Sequence, residues 1–286
     1  GGEAAFLGAD IRPYWELPAK PFTEQSISFA EAVKLVRSTL VDAVSLRLRG
    51  DVPFAFELSG GLDSSAVVAA AAESLDRRLR AYTIKVRGRD ESRYALATAR
   101  RFNIDHKVLF DTEADLPQDA EVFARIMEEP YDTPADYIHH LMLRRIKSDG
   151  FQVVLTGAGG NEALAGYEAS FWPAAWREWR GRGAENLWRA DWYEFRRRFM
   201  TAREAVRTFM NYFQAAARMA GIKRAEDMDC SPSKAFSYLQ AYRSTSYYQQ
   251  RLFQCRIGLL PYYLRSTDRY TMSIPLESRS PFLDHR

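Results

Sequence analysis

The fold is decided by residues 54–65, which read FAFELSGGLDSS. An apolar run typical of a β-strand stops at Ser59, and two glycines follow it. The alanine-rich residues 66–72 then predict a helix. We therefore expect a strand, a tight turn and a helix N-terminus, which together aim free backbone N–H groups and the positive end of the helix dipole at one point. An anion, most simply a phosphate, suits such a point.

Asp63 lies inside this turn, where its carboxylate would repel phosphate oxygens unless a divalent cation lay between them. The stretch therefore predicts a site for a magnesium–nucleotide complex. It is not a phosphate loop of the Walker type, because no Gly-Lys-Ser/Thr follows the glycines. The alternative is an ordinary strand-to-helix turn, but adjacent positions that each suit phosphate binding favour the nucleotide site.

Strands alternate with helices along the first half of the chain. This alternation argues for an α/β fold with a doubly wound, mostly parallel sheet. Ligands in such sheets bind outside the carboxyl ends of the strands, so Ser59, Val86 and Thr156 should reach one rim. Strands are predicted at residues 53–58, 81–86, 106–110 and 151–155, and helices at 28–49, 64–75, 90–102, 118–128 and 135–148.

Two later stretches strengthen this reading. Residues 156–167 read TGAGGNEALAGY, and their glycines let the backbone approach a ligand closely. The tail reads LRSTDRYTMS at 264–273 and LESRSPFLDHR at 276–286. Residues 59–64 resemble the pyrophosphate loop, S-G-G-x-D-S, of the N-type ATP pyrophosphatases. The other two stretches resemble the G-E-G-x-D-E-x-x-x-G-Y, D-R-x-x-M and E-x-R-x-P-F-L-D motifs of the asparagine synthetase family. Three motifs in family order make the resemblance specific.

The resemblance implies an adenine nucleotide α-hydrolase-like fold with a five-stranded sheet and an additional helical region. It also implies that ATP, with Mg2+, adenylates a substrate carboxylate and releases pyrophosphate, after which an amine displaces AMP and forms an amide. The resemblance further implies catalytic roles for Asp63, Glu162 and Arg279, and metal binding by Asp63 and Asn161. The implied nucleotide-binding residues are Leu58, Ser59, Gly60, Gly61, Asp63, Ser64, Ser65, Val86, Gly157, Gly159 and Gly160.

Three departures from the family pattern favour a specialised substrate. The family glutamate thought to help deprotonate the incoming amine is replaced by Ala158. An aspartate of the metal site is replaced by Asn161, whose neutral oxygen suits a hard cation less well than a carboxylate does. The chain also stops at Arg286, whereas family members continue with a helical segment that bears a lysine. Lasso-peptide cyclases share the fold, and a peptide substrate closed into a macrolactam is our preferred interpretation.

Four parts are expected along the chain. Residues 1–25 are interpreted as the lead-in from an N-terminal glutaminase-like domain, and residues 26–170 as the ATP-pyrophosphatase core. Residues 171–263 are interpreted as a helical region on the substrate side, and residues 264–286 as the tail motif.

The expected partners are a carboxylate substrate, either a peptide or an amino acid, and an amine, with a glutaminase domain or a precursor peptide as the macromolecular candidates. Nucleic acid is not expected, because the net charge is only +3 and acids interleave with the Arg- and Trp-rich residues 171–213. Two cysteines, no signal pattern and no long apolar run favour the cytoplasm and exclude a membrane span. The alternatives are a conventional glutamine-dependent asparagine synthetase, a tRNA-modifying pyrophosphate-loop enzyme, and an inactive ATP-binding homologue.

Overall fold

A computed structural model describes residues 22, 25–85, 90–110, 116–128, 134–164, 166, 255 and 259–285. Its contacts divide the chain into one unit of residues 1–164 and 254–286 and a second unit of residues 165–253. Apart from Gly166, every described residue lies in the first unit. Val86 and almost all of the predicted helical region at 171–263 lie outside the described residues.

A five-stranded sheet forms the centre of the first unit, and all its strand pairs are parallel. The spatial order is β3-β2-β1-β4-β5. Phe56 in the middle strand lies opposite Ala81 on one side and Leu155 on the other. The doubly wound parallel fold predicted from the sequence is therefore confirmed. The strands are β1 Phe54–Glu57, β2 Arg80–Lys85, β3 Asp105–Phe110, β4 Val153–Leu155 and β5 Glu277–Arg279.

Helices connect these strands. The first begins with a capping box, in which the Ser28 hydroxyl accepts from Glu31 N at 3.3 Å and the Glu31 carboxylate accepts from Ser28 N at 2.9 Å. The helices are α1 Phe29–Arg47, α2 Leu62–Ser74, α3 Ser92–Arg101, α4 Leu116–Met127, α5 Pro134–Ser148, α6 Gly160–Leu164 and α7 Leu259–Met272, followed by a short 3-10 helix at Pro281–Leu283. In the described part of the chain, none of these helices combines the length and hydropathy needed to cross a bilayer.

Buried side chains fill both faces of the sheet, because successive residues of a strand point in opposite directions. Phe56 points towards an apolar cluster that includes residues of α1, α2 and α3. Its neighbour Ala55 points towards a second cluster, which includes residues of α4, α5 and α7. Helices therefore cover the sheet on both sides, and ligands can approach its central strands only at their ends.

The chain reverses its direction across the sheet at β1. Strands β2 and β3 extend from β1 on one side, whereas β4 and β5 extend from it on the other. Such a reversal opens a crevice outside the carboxyl ends of the two strands that flank it. The loops at residues 58–61 and 156–159 leave β1 and β4 at this crevice.

Candidate active site

The turn after β1 brings the backbone close to α3. Gly60 has a φ of +91°. A β-carbon at this position would lie 2.7 Å from the carbonyl oxygen of Glu91 and 2.9 Å from the nitrogen of Ala95. Only glycine fits both the backbone angle and the space, so the tight turn predicted from the sequence is present and is fixed by its surroundings.

Two serine hydroxyls brace this turn. The Oγ atoms of Ser59 and Ser64 lie 2.9 Å apart. The backbone N–H of Ser59 donates to Ser64 Oγ at 3.2 Å, and that of Gly61 donates to Ser59 Oγ at 3.2 Å. Ser64 is buried, with 6% of its surface exposed. Both serines therefore hold the turn in shape.

The N-terminus of α2 opens from this turn. Its N-cap is Gly61, and within the described residues no side chain caps the helix. The first N–H groups of a helix lack intrahelical acceptors, so they remain for a ligand. The uncapped end, with its positive dipole, suits the phosphate predicted from the sequence.

The second glycine stretch lies against this helix end. A β-carbon on Gly157 would lie 2.6 Å from the nitrogen of Ser64 and 2.9 Å from the carbonyl carbon of Asp63. A β-carbon on Gly160 would overlap the carboxyl carbon of Asp63 and lie 2.7 Å from its Oδ1. The two predicted motifs therefore form one site, although Ser59 and Asn161 are 102 residues apart in the sequence.

Two carboxylates share this site. Glu162 lies in α6 and has only 3% of its surface exposed. Burial, and secondarily the negative charge of Glu162, raises the pKa of the Asp63 carboxyl above its ordinary value. A divalent cation between the two loops would favour the ionised form of Asp63, since an opposite charge lowers the pKa of a carboxyl.

The donor set fits a nucleotide-bound magnesium better than an ion held by protein alone. Within the described ranges, no group of three or more His, Cys, Asp and Glu residues could hold a metal. Magnesium bound to nucleotide phosphates needs only one or two protein carboxylates, and it keeps several waters. Asp63 would supply such a carboxylate. Asn161 is exposed in α6 and would supply a neutral oxygen.

Polar contacts support the rim near the predicted adenine position. Leu58 is fully buried, and its carbonyl oxygen accepts a hydrogen bond from the hydroxyl of Thr83 on β2. Because that hydroxyl proton is used, Nε2 of His106 must donate to Thr83 Oγ1, at 2.7 Å. Burial lowers the pKa of His106 and so favours the neutral imidazole, which carries its proton on Nε2 in this arrangement. The sequence reasoning missed Thr83 and His106; Val86 lies outside the described residues.

Arg279 contacts α1 in this structure. Its Nη1 donates to the carbonyl oxygens of Arg47 at 2.7 Å and of Arg49 at 2.8 Å, and its Nε donates to Glu277 at 2.6 Å. None of these hydrogen bonds of the Arg279 side chain goes to either glycine loop. The catalytic role that the tail motif implied for Arg279 stays a prediction.

A second polar cluster was missed by the sequence reasoning. Glu57, the last residue of β1, is hydrogen-bonded to His139 on α5, which is in turn hydrogen-bonded to Tyr270 on α7. The local signal for it is Glu57 itself, an acidic residue at the end of an otherwise apolar strand.

Comparisons with known proteins identify the family of the chain. The family model for asparagine synthase matches residues 35–286. Amidase chyE of Penicillium rubens is 33% identical over 177 residues, covering 55% of this chain and 26% of that protein. A putative asparagine synthetase (glutamine-hydrolyzing) 2 of Methanocaldococcus jannaschii is 34% identical over 157 residues, covering 54% of this chain and 30% of that protein. Asparagine synthetase (glutamine-hydrolyzing) 2 of Bacillus subtilis is 26% identical over 260 residues, covering 87% of this chain and 32% of that protein. The chain therefore spans about a quarter to a third of the length of these relatives.

Proposed function

Because the chain belongs to the asparagine synthase family, we propose that it is an ATP-dependent, AMP-forming amide ligase. The observation that carries this proposal is the close contact of Gly157 and Gly160 with Asp63 at the uncapped N-terminus of α2. Backbone donors, a helix dipole and two carboxylates meet there. Such a site suits the pyrophosphate part of a magnesium-bound nucleotide.

In the first half-reaction the substrate carboxylate attacks the α-phosphorus of ATP, an acyl-adenylate forms, and pyrophosphate leaves. Backbone N–H groups of Gly60, Gly61 and the first turn of α2 would bind the departing pyrophosphate. Asp63 would hold the magnesium ion, with Asn161 as a neutral ligand. Magnesium, when bound, would neutralise the charge that builds up on the leaving group. Leu58 would border the adenine at the exit of β1. The adenine-binding role predicted for Val86 stays a prediction.

In the second half-reaction an amine attacks the acyl carbon, loses a proton and displaces AMP. Ala158 has no group that could accept this proton. Glu162 is our candidate base, since it is buried and close enough to Asp63 to raise that residue's pKa. We propose a larger carboxylate than aspartate as the substrate, such as a peptide that is closed into a macrolactam.

A conventional asparagine synthetase is the second candidate, and the printed names of two relatives favour it. In that case a glutaminase domain would supply ammonia. In the preferred case a precursor peptide would be the partner. ATP dependence and the two cysteines favour a cytoplasmic site of action. A tRNA-modifying enzyme is a weaker candidate, because the family match extends through residue 286.

The test uses the full-length protein, magnesium and ATP labelled at both the α- and the γ-phosphorus. Candidate peptides and amino acids are supplied with an amine, and the labelled products are separated. We expect AMP and pyrophosphate in a one-to-one ratio with the amide. ADP and phosphate as the only products would refute the proposed reaction.

A further inference from the structure

The tail reaches the active site through its backbone rather than through a reacting side chain. The carbonyl oxygen of Arg279 in β5 accepts a hydrogen bond from the N–H of Thr156 at 3.0 Å. Thr156 is the first residue of the second glycine loop, and its hydroxyl accepts from the N–H of Ala158 at 3.2 Å. The position of β5 therefore fixes where the second loop begins.

The 3-10 helix after β5 touches the same loop from the side. Gly159 has a φ of +89°, and a β-carbon there would lie 2.7 Å from Cγ of Leu283, with Cδ2 closer still. Leu283 thus fills the space beside Gly159. The next residue, Gly160, lies so close to Asp63 that it has no room for a β-carbon. A displacement of the 3-10 helix would be passed to Asp63 through two adjacent glycines.

Three contacts anchor this tail near the end of α1. The Arg279 guanidinium donates to the carbonyl oxygen of Arg47, the last residue of α1, where carbonyl groups lack intrahelical partners, and to that of Arg49, which follows the helix. The side chain of Arg47 forms an ion pair with Asp284 at 2.7 Å. The side chains of this pair are 23% and 8% exposed, so solvent screens it little.

We infer that Arg47, Arg279 and Asp284 are positioning residues, which set the gap between the two glycine loops and thereby the affinity for the magnesium–nucleotide complex. This inference rests on the proposed function. A misplacement of about 1 Å can cost about a hundredfold in rate, so an anchor remote from the reacting atoms can matter. The tail motif then acts through the shape of the site.

The experiment measures binding of magnesium and α,β-methylene-ATP, a non-hydrolysable probe, to the full-length protein by calorimetry. Arg47→Ala removes the ion pair but keeps the backbone carbonyl that Arg279 contacts. We expect Arg47→Ala and Asp284→Asn each to raise the dissociation constant roughly tenfold. The double variant should bind about as weakly as either single variant, because both changes break the same anchor.

Two matched controls separate positioning from a general loss of stability. Arg37→Ala removes another ion pair of α1, which Arg37 forms with Glu73 of α2 at 2.8 Å. Ile146→Ala empties a fully buried position in the cluster on the opposite face of the sheet. Arg37→Ala should leave binding unchanged. Ile146→Ala should lower the unfolding temperature more than Asp284→Asn does and still bind the probe normally.

A conservative variant keeps the test decisive if Arg47→Ala folds poorly. Arg279→Lys retains the charge but can reach fewer carbonyl oxygens than a guanidinium does, so it should bind the probe more tightly than Arg279→Met and less tightly than the wild type. Normal probe binding by the wild type and by all tail variants would overturn this inference and leave the proposed function standing. No probe binding by the wild type would refute the proposed function and this inference together.

Discussion

The imidazole Nε2 of His139 lies 2.7 Å from Oε1 of Glu57 and joins α5 to the carboxyl end of β1. The other ring nitrogen of His139 lies 2.8 Å from the hydroxyl of Tyr270, which lies 3.0 Å from the hydroxyl of Thr267. Burial works against a charge on His139, but the carboxylates of Glu57 and Asp136 outweigh it, and the pKa of His139 stands above its ordinary value. A charged pair is thus held inside a largely apolar layer.

This pair predicts a pH-dependent contribution to stability. Because the pKa of His139 is higher in the folded than in the unfolded protein, the folded state binds the proton more tightly. The contribution is therefore fully present below the unfolded pKa, about 6.5, and is lost as pH rises through the folded value. Glu57→Gln keeps a hydrogen-bond acceptor and removes the charge. We expect it to cost about 1–2 kcal/mol of unfolding free energy at pH 5.5 and less at pH 9, as for a partly buried ion pair.

The measurement is urea unfolding of both proteins from pH 5.5 to 9. Only their difference is informative, because burial lowers the pKa of His106 and that of His140, the latter to about 4, and these histidines act in the opposite direction. Glu121→Gln, which breaks an exposed pair with Arg125, is the matched control and should show no such trend. A stability difference that is equal at all pH values would contradict the ion pair.

Asp63→Asn tests the metal site. The loss of a metal-binding charge should raise the adenylation barrier by several kcal/mol, roughly a thousandfold in rate. The fold should survive, because two effects offset each other. The variant loses the interaction of the carboxylate with the helix dipole, but it also no longer buries a negative charge beside Glu162. We expect the unfolding free energy to change by less than about 1 kcal/mol. Near-normal AMP formation by this variant would exclude the proposed role of Asp63.

Gly160→Ala tests the contact between the two loops. The new methyl group would overlap the carboxyl group of Asp63, so the loops must separate. We expect adenylation to fall by about a hundredfold, because a shift of about 1 Å has that effect. The comparison variant is Gly150→Ala, whose backbone has a φ of +95° but whose β-carbon would meet no atom within 4 Å. It should cost about 1 kcal/mol of stability through backbone strain and leave AMP formation unchanged.

If Gly160→Ala adenylates at the wild-type rate, the glycine is not needed for close approach. Equal losses of activity in Gly150→Ala and Gly160→Ala would show that general destabilisation, rather than the contact with Asp63, is responsible. AMP formation and the urea midpoint of both variants decide between these outcomes.

Local patterns located the strands that carry the site. Strand β1 at Phe54–Glu57 lies within the predicted residues 53–58, and β4 at Val153–Leu155 lies within 151–155. Helix α2 begins at Leu62, two residues before the predicted Ser64, because Gly61 is extended, with φ −71° and ψ 164°, and serves as N-cap. The pattern of the parallel sheet was therefore enough to predict that the two glycine loops meet.

Contacts distant in sequence could not be predicted in the same way. Strand β5 consists of Glu277, Ser278 and Arg279, which show no apolar alternation. It is a strand because backbone bonds join Glu277 N to Gln152 O at 2.9 Å and Thr156 N to Arg279 O at 3.0 Å. The Glu57–His139 pair spans 82 residues, and the acidic residue at the end of the apolar strand does not indicate which residue is its partner. The family resemblance indicated that the tail matters but not that Arg279 contacts α1.

Ala158 decides between a specialised ligase and a conventional asparagine synthetase. Its N–H is held by the hydroxyl of Thr156 at 3.2 Å, so the backbone is fixed where a family glutamate would stand. A positioned general base contributes roughly a hundred- to ten-thousandfold, and Ala158 lacks it. With aspartate, ammonium, ATP and Mg2+, we therefore expect the full-length protein to form little asparagine, and Ala158→Glu to form at least about tenfold more. AMP formation with aspartate is measured in parallel, because an increase in adenylation alone would not show a restored base. Asparagine formed by the unaltered protein at roughly 1 per second, an ordinary enzymic rate, would contradict the specialised substrate and favour the conventional reaction.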